Sequence, residues 1–279
     1  MASKWVCDNF ALLSKMPLAP NDLTPLQPMP SPSKSTNSLS RMLEVLTLFK
    51  PEQPVIDIDV ICSQLGYTPP SAYRYVRELS KVGLLVRLPR GYAVGPRVIE
   101  LDRHMTQFDP LLVASKNIVG DLVAQTSLDL LISELYGSKV INILQHSGAD
   151  AHVLAYGRGR PMDLFRSATA RVILAHLLPR QLRRIFDNAA PEEVMPMGAD
   201  WKEFSKHMLR IRKDGYCISE GEVNPGKTGV AAPIFDEKQR ILGSITLLGN
   251  SERFNAFNHS FLSGLVVDAA RQITNHIAS

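Results

Sequence analysis

The sequence predicts an α+β protein in two parts: a small N-terminal winged helix-turn-helix, then a linker helix and a larger domain with one sheet flanked by helices. Three observations carry this. Residues 38–95 show helical periodicity broken by a glycine turn, then two short apolar runs. Residues 109–279 mix apolar runs of strand length with amphipathic stretches. The chain has 279 residues, 45% of them hydrophobic and 21% charged, enough for two ordinary cores.

Residues 1–37 read as a disordered tail, broken by Pro17, Pro20, Pro25, Pro28, Pro30 and Pro32. Leu39, Met42, Leu43, Leu46 and Phe49 then recur at helical spacing until Pro51. A second helix is expected from Ile58 to Leu65, capped by Asp57 and ended by Gly66. Thr68 stands as N-cap of a third, with Pro69 at its first position and Ala72, Val76 and Leu79 on its apolar face. Leu84–Leu88 and Tyr92–Val94 read as strands around the turn Pro89-Arg90-Gly91. Residues 96–108 form the expected linker helix, with Val98, Leu101 and Met105 available to a second subunit. In residues 109–279 the pattern predicts a helix at 111–126 and strands at 129–134 and 140–145. Helices at 169–178, 179–188 and 200–214 come next, then strands at 216–219, 229–235 and 241–248, and a last helix at 257–277.

The bulk numbers exclude several classes. Net charge is +4, which permits nucleic-acid binding without requiring it. The three cysteines, Cys7, Cys62 and Cys217, are far apart, with neither zinc-ligand spacing nor a disulfide framework. His146 and His152 flank a short turn and read as surface residues rather than a metal pair. No signal-peptide core or membrane span is visible, so the cytoplasm is the expected location. No metal or other cofactor is implied.

The third helix carries the chemistry of the N-terminal part. Ser71, Tyr73, Arg74, Arg77 and Lys81 lie off its apolar face, with Thr68 at its start and Arg87 and Arg90 on the hairpin. Duplex DNA requires cations for phosphates and donors or planar side chains for base edges. A competing reading comes from Gly221 to Thr228, which matches the phosphate-loop pattern GxxxxGK[ST] and would make Lys227 and Thr228 part of a nucleotide-dependent enzyme. The adjoining residues, Gly229 to Phe235, read as a strand with a proline rather than a helix, so the match is weighed as chance.

The run DGYCISEGEVNPGKTGVAAPIFD, residues 214–236, resembles the signature of the IclR family of bacterial transcription regulators. Ser40-Arg41, Leu65-Gly66-Tyr67, Arg74 and Gly91-Tyr92-Ala93-Val94-Gly95 agree with it, which adds Arg41 to the DNA-binding candidates. The resemblance covers about Ser38 to the end. It implies a GAF-like effector domain, a homodimer or homotetramer on a double-stranded operator, no catalysis, and control of a catabolic operon by a small organic acid. The family usually has a Ser-Thr pair and His-Arg in the third helix; Pro70-Ser71 and Tyr73-Arg74 stand there instead, which points to an unusual operator.

By the same resemblance, the effector site falls on Ser167, Ala168 and Thr169, on Ser219, on Gly229 and on Thr246. Independently, a helix start with hydroxyls beside it is an anion site. Arg166 stands where the family has His, Ala170-Arg171 replaces Gly-Lys, and Ser219 replaces an acidic residue in several members. These departures favour an anionic ligand, by family habit an aromatic carboxylate. Arg166, with Arg158 or Arg160 second, is the expected partner of its carboxylate; of Arg158, Arg160, Arg166 and Arg171, at least two are expected at a surface or interface.

Overall fold

In a computed structural model, residues 37–148 and 157–278 are described. The expected tail, except Asn37, and His152 fall outside them. Helix α1 (Ser38–Glu44) tightens into a 3-10 turn at Val45–Leu48, so the first periodic run is not one α-helix. Then come α2 (Ile58–Leu65) and α3 (Pro69–Lys81), followed by the hairpin β1 (Leu85–Leu88) and β2 (Gly91–Val94). Asp57 accepts from the Val60 N–H at 2.8 Å, a cap of the kind worth ~1 kcal/mol. Gly66 ends α2 in the left-handed conformation. Thr68 occupies the N-cap of α3 but makes no capping bond; its hydroxyl donates to Ser71 Oγ at 3.1 Å.

Val45, Leu48, Ile56, Ile61, Ala72, Val76, Leu79 and Leu85 form the small core. Tyr67 and Tyr75 belong to it as well, edge to face at 5.6 Å, although the apolar pattern alone did not mark them. The hairpin docks by a bridge between Ile56 and Tyr92. Gly91 is required for it: a Cβ there would lie 2.3 Å from the Ile56 carbonyl oxygen.

Helix α4 (Arg97–Phe108) buries no residue, and Val98, Ile99, Leu101, Met105 and Phe108 are exposed on it. Asp109 caps α5 (Pro110–Thr126) through the Leu112 N–H at 3.0 Å. The remaining elements are β3 (Asp129–Tyr136), β4 (Lys139–His146), α6 (Ala168–Ala175), α7 (Pro179–Asn188), α8 (Pro191–Val194) running into a 3-10 turn at Met195–Met197, α9 (Trp201–Asp214), β5 (Cys217–Glu220), β6 (Lys227–Phe235), β7 (Ile241–Asn250), α10 (Ser251–Asn255) and α11 (His259–Ala278). The strands form one antiparallel sheet in the order β4-β3-β7-β6-β5.

Side-chain alternation along each strand sorts the sheet into two faces. Leu130, Ile132, Val230, Ala232, Ile234, Ile245 and Leu247 pack with α5 and α11. The intervening Ala231 packs with α6 and α9, whose Val172, Leu174, Phe204, Met208 and Ile211 make a second core. Both faces are covered, so the strands read as nearly continuous apolar runs.

Candidate DNA-binding face and effector cavity

On α3, Ala72, Tyr75, Val76 and Leu79 are buried while Pro70, Tyr73, Arg74 and Arg77 are exposed. At 3.6 residues per turn these exposed positions and Lys81 share one side. Ser71 is half-buried beside Thr68. The side chain of Arg77 leans on Glu78 through a bond of 3.2 Å, and Arg74 lies 5.2 Å over the Tyr75 ring. Arg87 and Arg90 are exposed on the hairpin. Arg41 is placed differently: half-buried, its guanidinium lies 4.3 Å over the ring of Tyr67. The Tyr67 hydroxyl donates to Glu44 at 2.5 Å, with the Arg41 carbonyl oxygen 3.1 Å away as a second, weaker acceptor of the same proton. Burial, reinforced by the Glu44 carboxylate, pushes the Tyr67 hydroxyl up to about 12. Arg41 therefore braces α1 against the helix-turn-helix.

A cavity of about 400 Å³, counting the part open to solvent, lies over the second face of the sheet. Its floor is set by strand alternation: Leu131, Thr246 and Leu248, Lys227 and Gly229, and Ser219 line it. Ser219 sits opposite Gly229, and Gly229 opposite Leu248. One wall is the start of α6, with Ser167, Ala168 and Thr169; the others carry Met162, Val223 and Asn224.

The start of α6 is shaped by short-range bonds. Asp163 accepts from the N–H groups of Phe165 and Arg166 at 3.0 and 2.9 Å, turning the chain into the helix. Ser167 is the N-cap: its Oγ accepts from the Ala170 N–H at 3.1 Å and donates to the Asp163 carbonyl at 2.7 Å, so its hydroxyl proton is used. Thr169 and Thr246, both buried, share one hydrogen bond of 2.9 Å. Two hydroxyls hold two protons and this bond uses one, which leaves the other to donate elsewhere. Lys227, half-buried, donates from Nζ to Asn250 at 2.5 Å.

The structure thus brings Ser167, Ala168, Thr169, Ser219, Gly229 and Thr246 to one cavity. It does not bring Arg158 or Arg166 there. Arg166 is exposed and outside the lining. Arg158 donates to Asp102 on α4 at 2.8 Å and to the carbonyl of Ile143. Arg160 is exposed, and Arg171 is buried against Glu222. Lys227 instead is the basic residue that lines the cavity, its Nζ held by Asn250; its place in the phosphate-loop string had hidden it from sequence reasoning. Counting back two residues from Gly229 along the strand would have found it, as counting on from Thr246 finds Leu248.

The phosphate-loop pattern takes no phosphate-loop geometry. Residues 221–226 are the turn between β5 and β6, closed by the Gly221 N–H on the Lys227 carbonyl at 2.7 Å. Lys227 then opens a strand, so the loop does not run into a helix as a phosphate loop does.

Near the foot of α4 lies a second cluster of titratable groups. Glu134, half-buried, accepts from the Tyr136 hydroxyl, close to Asp109 and with Arg158 beside Tyr136. Burial pushes its carboxyl up to about 7, against the bond from Tyr136 and with help from the Asp109 charge.

Comparison with known proteins gives a consistent picture. The family model for the IclR helix-turn-helix domain matches residues 38–89, and that for the bacterial transcriptional regulator IclR C-terminal region matches residues 104–275. The HTH-type transcriptional regulator KipR of Bacillus subtilis is 24% identical over 85% of this chain and 95% of its own. A crystal structure of an IclR-type regulator from a Silicibacter species superposes with a TM-score of 0.75 at 20% identity, covering 87% of this chain and 97% of that one. An IclR homologue from Microbacterium hydrocarbonoxydans, crystallised with 4-hydroxybenzoate, superposes with a TM-score of 0.70 at 17% identity, covering 86% and 99%.

Proposed function

Because this chain belongs to the IclR family of bacterial transcriptional regulators, and is a DNA-binding regulator rather than an enzyme, we propose that a small organic acid in the cavity controls its operator binding. The observation that carries this is the cavity's two-ended lining. Leu131, Met162, Val223 and Leu248 form an apolar end; Lys227, Asn224, the spare Thr169/Thr246 proton and the start of α6 form a polar one. A carboxylate matches the polar end in charge and donors, and a ring or short carbon body matches the other. The relative bound to 4-hydroxybenzoate supports an aromatic acid as the ligand, and control of a catabolic operon is the corresponding role.

On the DNA side, Tyr73, Arg74 and Arg77 of α3 face the major groove, Thr68 and Ser71 lie at its start, and Arg87 and Arg90 reach phosphates from the hairpin. The exposed apolar residues of α4 pair with a second copy, so that two copies of α3 meet two half-sites. Arg158 is assigned to coupling rather than ligand binding. It sits in the segment that carries Met162 to the cavity, and its bond to Asp102 reaches the helix that leads to the DNA-binding domain.

The first test is a thermal-shift screen of the full chain with 4-hydroxybenzoate, benzoate, pyruvate and phenol. An acid at a hundredfold its Kd adds about 2.7 kcal/mol to the folded state. Stabilisation by an acid but not by phenol, abolished in Lys227→Met, is the expected result. Phenol acting as strongly as the acids would sink the carboxylate reading. Gly229→Ala gives a cleaner variant: a Cβ there meets only ordinary contacts of 3.5 Å or more, so the fold tolerates it while the cavity shrinks.

A further inference from the structure

Arg171 is buried, its side chain 4% exposed, yet it does not line the cavity. Nε donates to the Phe165 carbonyl at 2.7 Å, and the two terminal nitrogens grip both carboxylate oxygens of Glu222, one at 2.8 Å. Those two anchors belong to different walls of the cavity. Phe165 lies in the segment between Met162 and Ser167, and Glu222 lies in the 221–226 turn beside Val223 and Asn224. The turn is closed locally, Gly221 to Lys227 and Lys227 to Asn224, and its far end is tied to α10 by the Ser251 N–H on the Gly226 carbonyl at 2.8 Å. Glu222 links its near end to α6.

We propose that Arg171 and Glu222 form a clasp that holds the 221–226 turn over the cavity, making Arg171 a positioning residue for the ligand and not its partner. The proposal rests on the cavity being the effector site. Its physical reason is in the donor count. A guanidinium fork grips a carboxylate with two parallel bonds and still reaches a backbone carbonyl, which a lysine ammonium cannot do in one plane. With Arg171 buried and Glu222 a third exposed, the pair adds little net stability, so its effect is felt as geometry. With the turn already ordered, a ligand touching Val223 and Asn224 binds without the entropy cost of ordering it.

The test compares wild type, Glu222→Ala and the double variant Arg171→Met with Glu222→Ala, all as full chains. Glu222→Ala strands a buried cation and lowers the melting temperature; the double variant removes that cation, so its fold recovers while the clasp stays open. Hydrogen exchange without ligand reads the turn, and calorimetry with 4-hydroxybenzoate, benzoate and pyruvate reads the cavity. Both variants should exchange the 221–226 amides about tenfold faster, with α11 unchanged. Both should bind the acid that wild type binds about tenfold more weakly. Unchanged exchange at 221–226 overturns the clasp, and faster exchange with unchanged affinity overturns the positioning role. Recovery of affinity in the double variant along with its melting temperature also overturns it. If wild type binds none of the three acids, the effector reading of the cavity fails first, and the clasp's role with it.

Discussion

Helices α4 and α6 face opposite environments. Every residue of α6 is buried, the charged Arg171 included, whereas α4 buries none and exposes Ile99 and Phe108 at 73% and 76%. Both are rich in apolar residues, so composition does not separate them. What separates them, among the described residues, is the neighbours that this chain supplies: α6 packs on the sheet and α9, while α4 meets chiefly α5 and Arg158. A helix enclosed by its own chain sets the stability and shape of a site. One left uncovered acts through whatever covers it.

The largest effect that would break this contrast is on α4. Ile99→Glu with Phe108→Glu should leave a folded monomer by analytical ultracentrifugation. It should weaken binding to a DNA fragment selected from a random pool by roughly 10²–10⁴-fold, because two half-sites no longer act together. A variant that remains dimeric with full DNA affinity would mean that α4 is covered by something else.

The next effect belongs to the enclosed helix. Ile173→Ala, at 0% exposure, should cost about 2–5 kcal/mol in denaturant unfolding. Ile99→Ala should stay within about 0.5 kcal/mol when measured at dilutions that keep the chain monomeric. Equal losses at the two positions would erase the distinction.

The smallest effect lies where α4 meets the sensor domain. Glu134 holds its proton more tightly folded, at about 7, than unfolded, at 4.5. Its contribution is fully present below pH 4.5, declines between 4.5 and 7 on the order of 1 kcal/mol per unit, and is gone above 7. Glu134→Gln should flatten that part of the stability curve; an unaltered slope would place the titration elsewhere.

The same contrast explains which features are legible in the sequence. Helix α2 with Asp57 and Gly66, the apolar face of α3, and the strands of the sheet obey local rules of capping, periodicity and alternation. The six cavity residues found on one surface were named from motif resemblance, and the helix start at Ser167 from capping chemistry as well. The arginines were harder. Their number was visible but their partners were not: Arg41 meets Tyr67, Arg158 meets Asp102, and Arg171 meets Glu222.

What this sequence determined by itself is therefore whatever depends on neighbours a few residues away: the helix-turn-helix, the hairpin, the strand alternation and the phosphate-loop string's lack of a helix behind it. Tertiary structure alone decided which basic residue lines the cavity, that Lys227 does and Arg158 and Arg166 do not, and that Arg171 ties two walls together. The reason is physical. Backbone geometry is set within a turn or two of chain, but a long charged side chain settles on whichever anion or carbonyl the fold brings within reach. For Arg158 and Arg171 those partners lie 56 and 51 residues away.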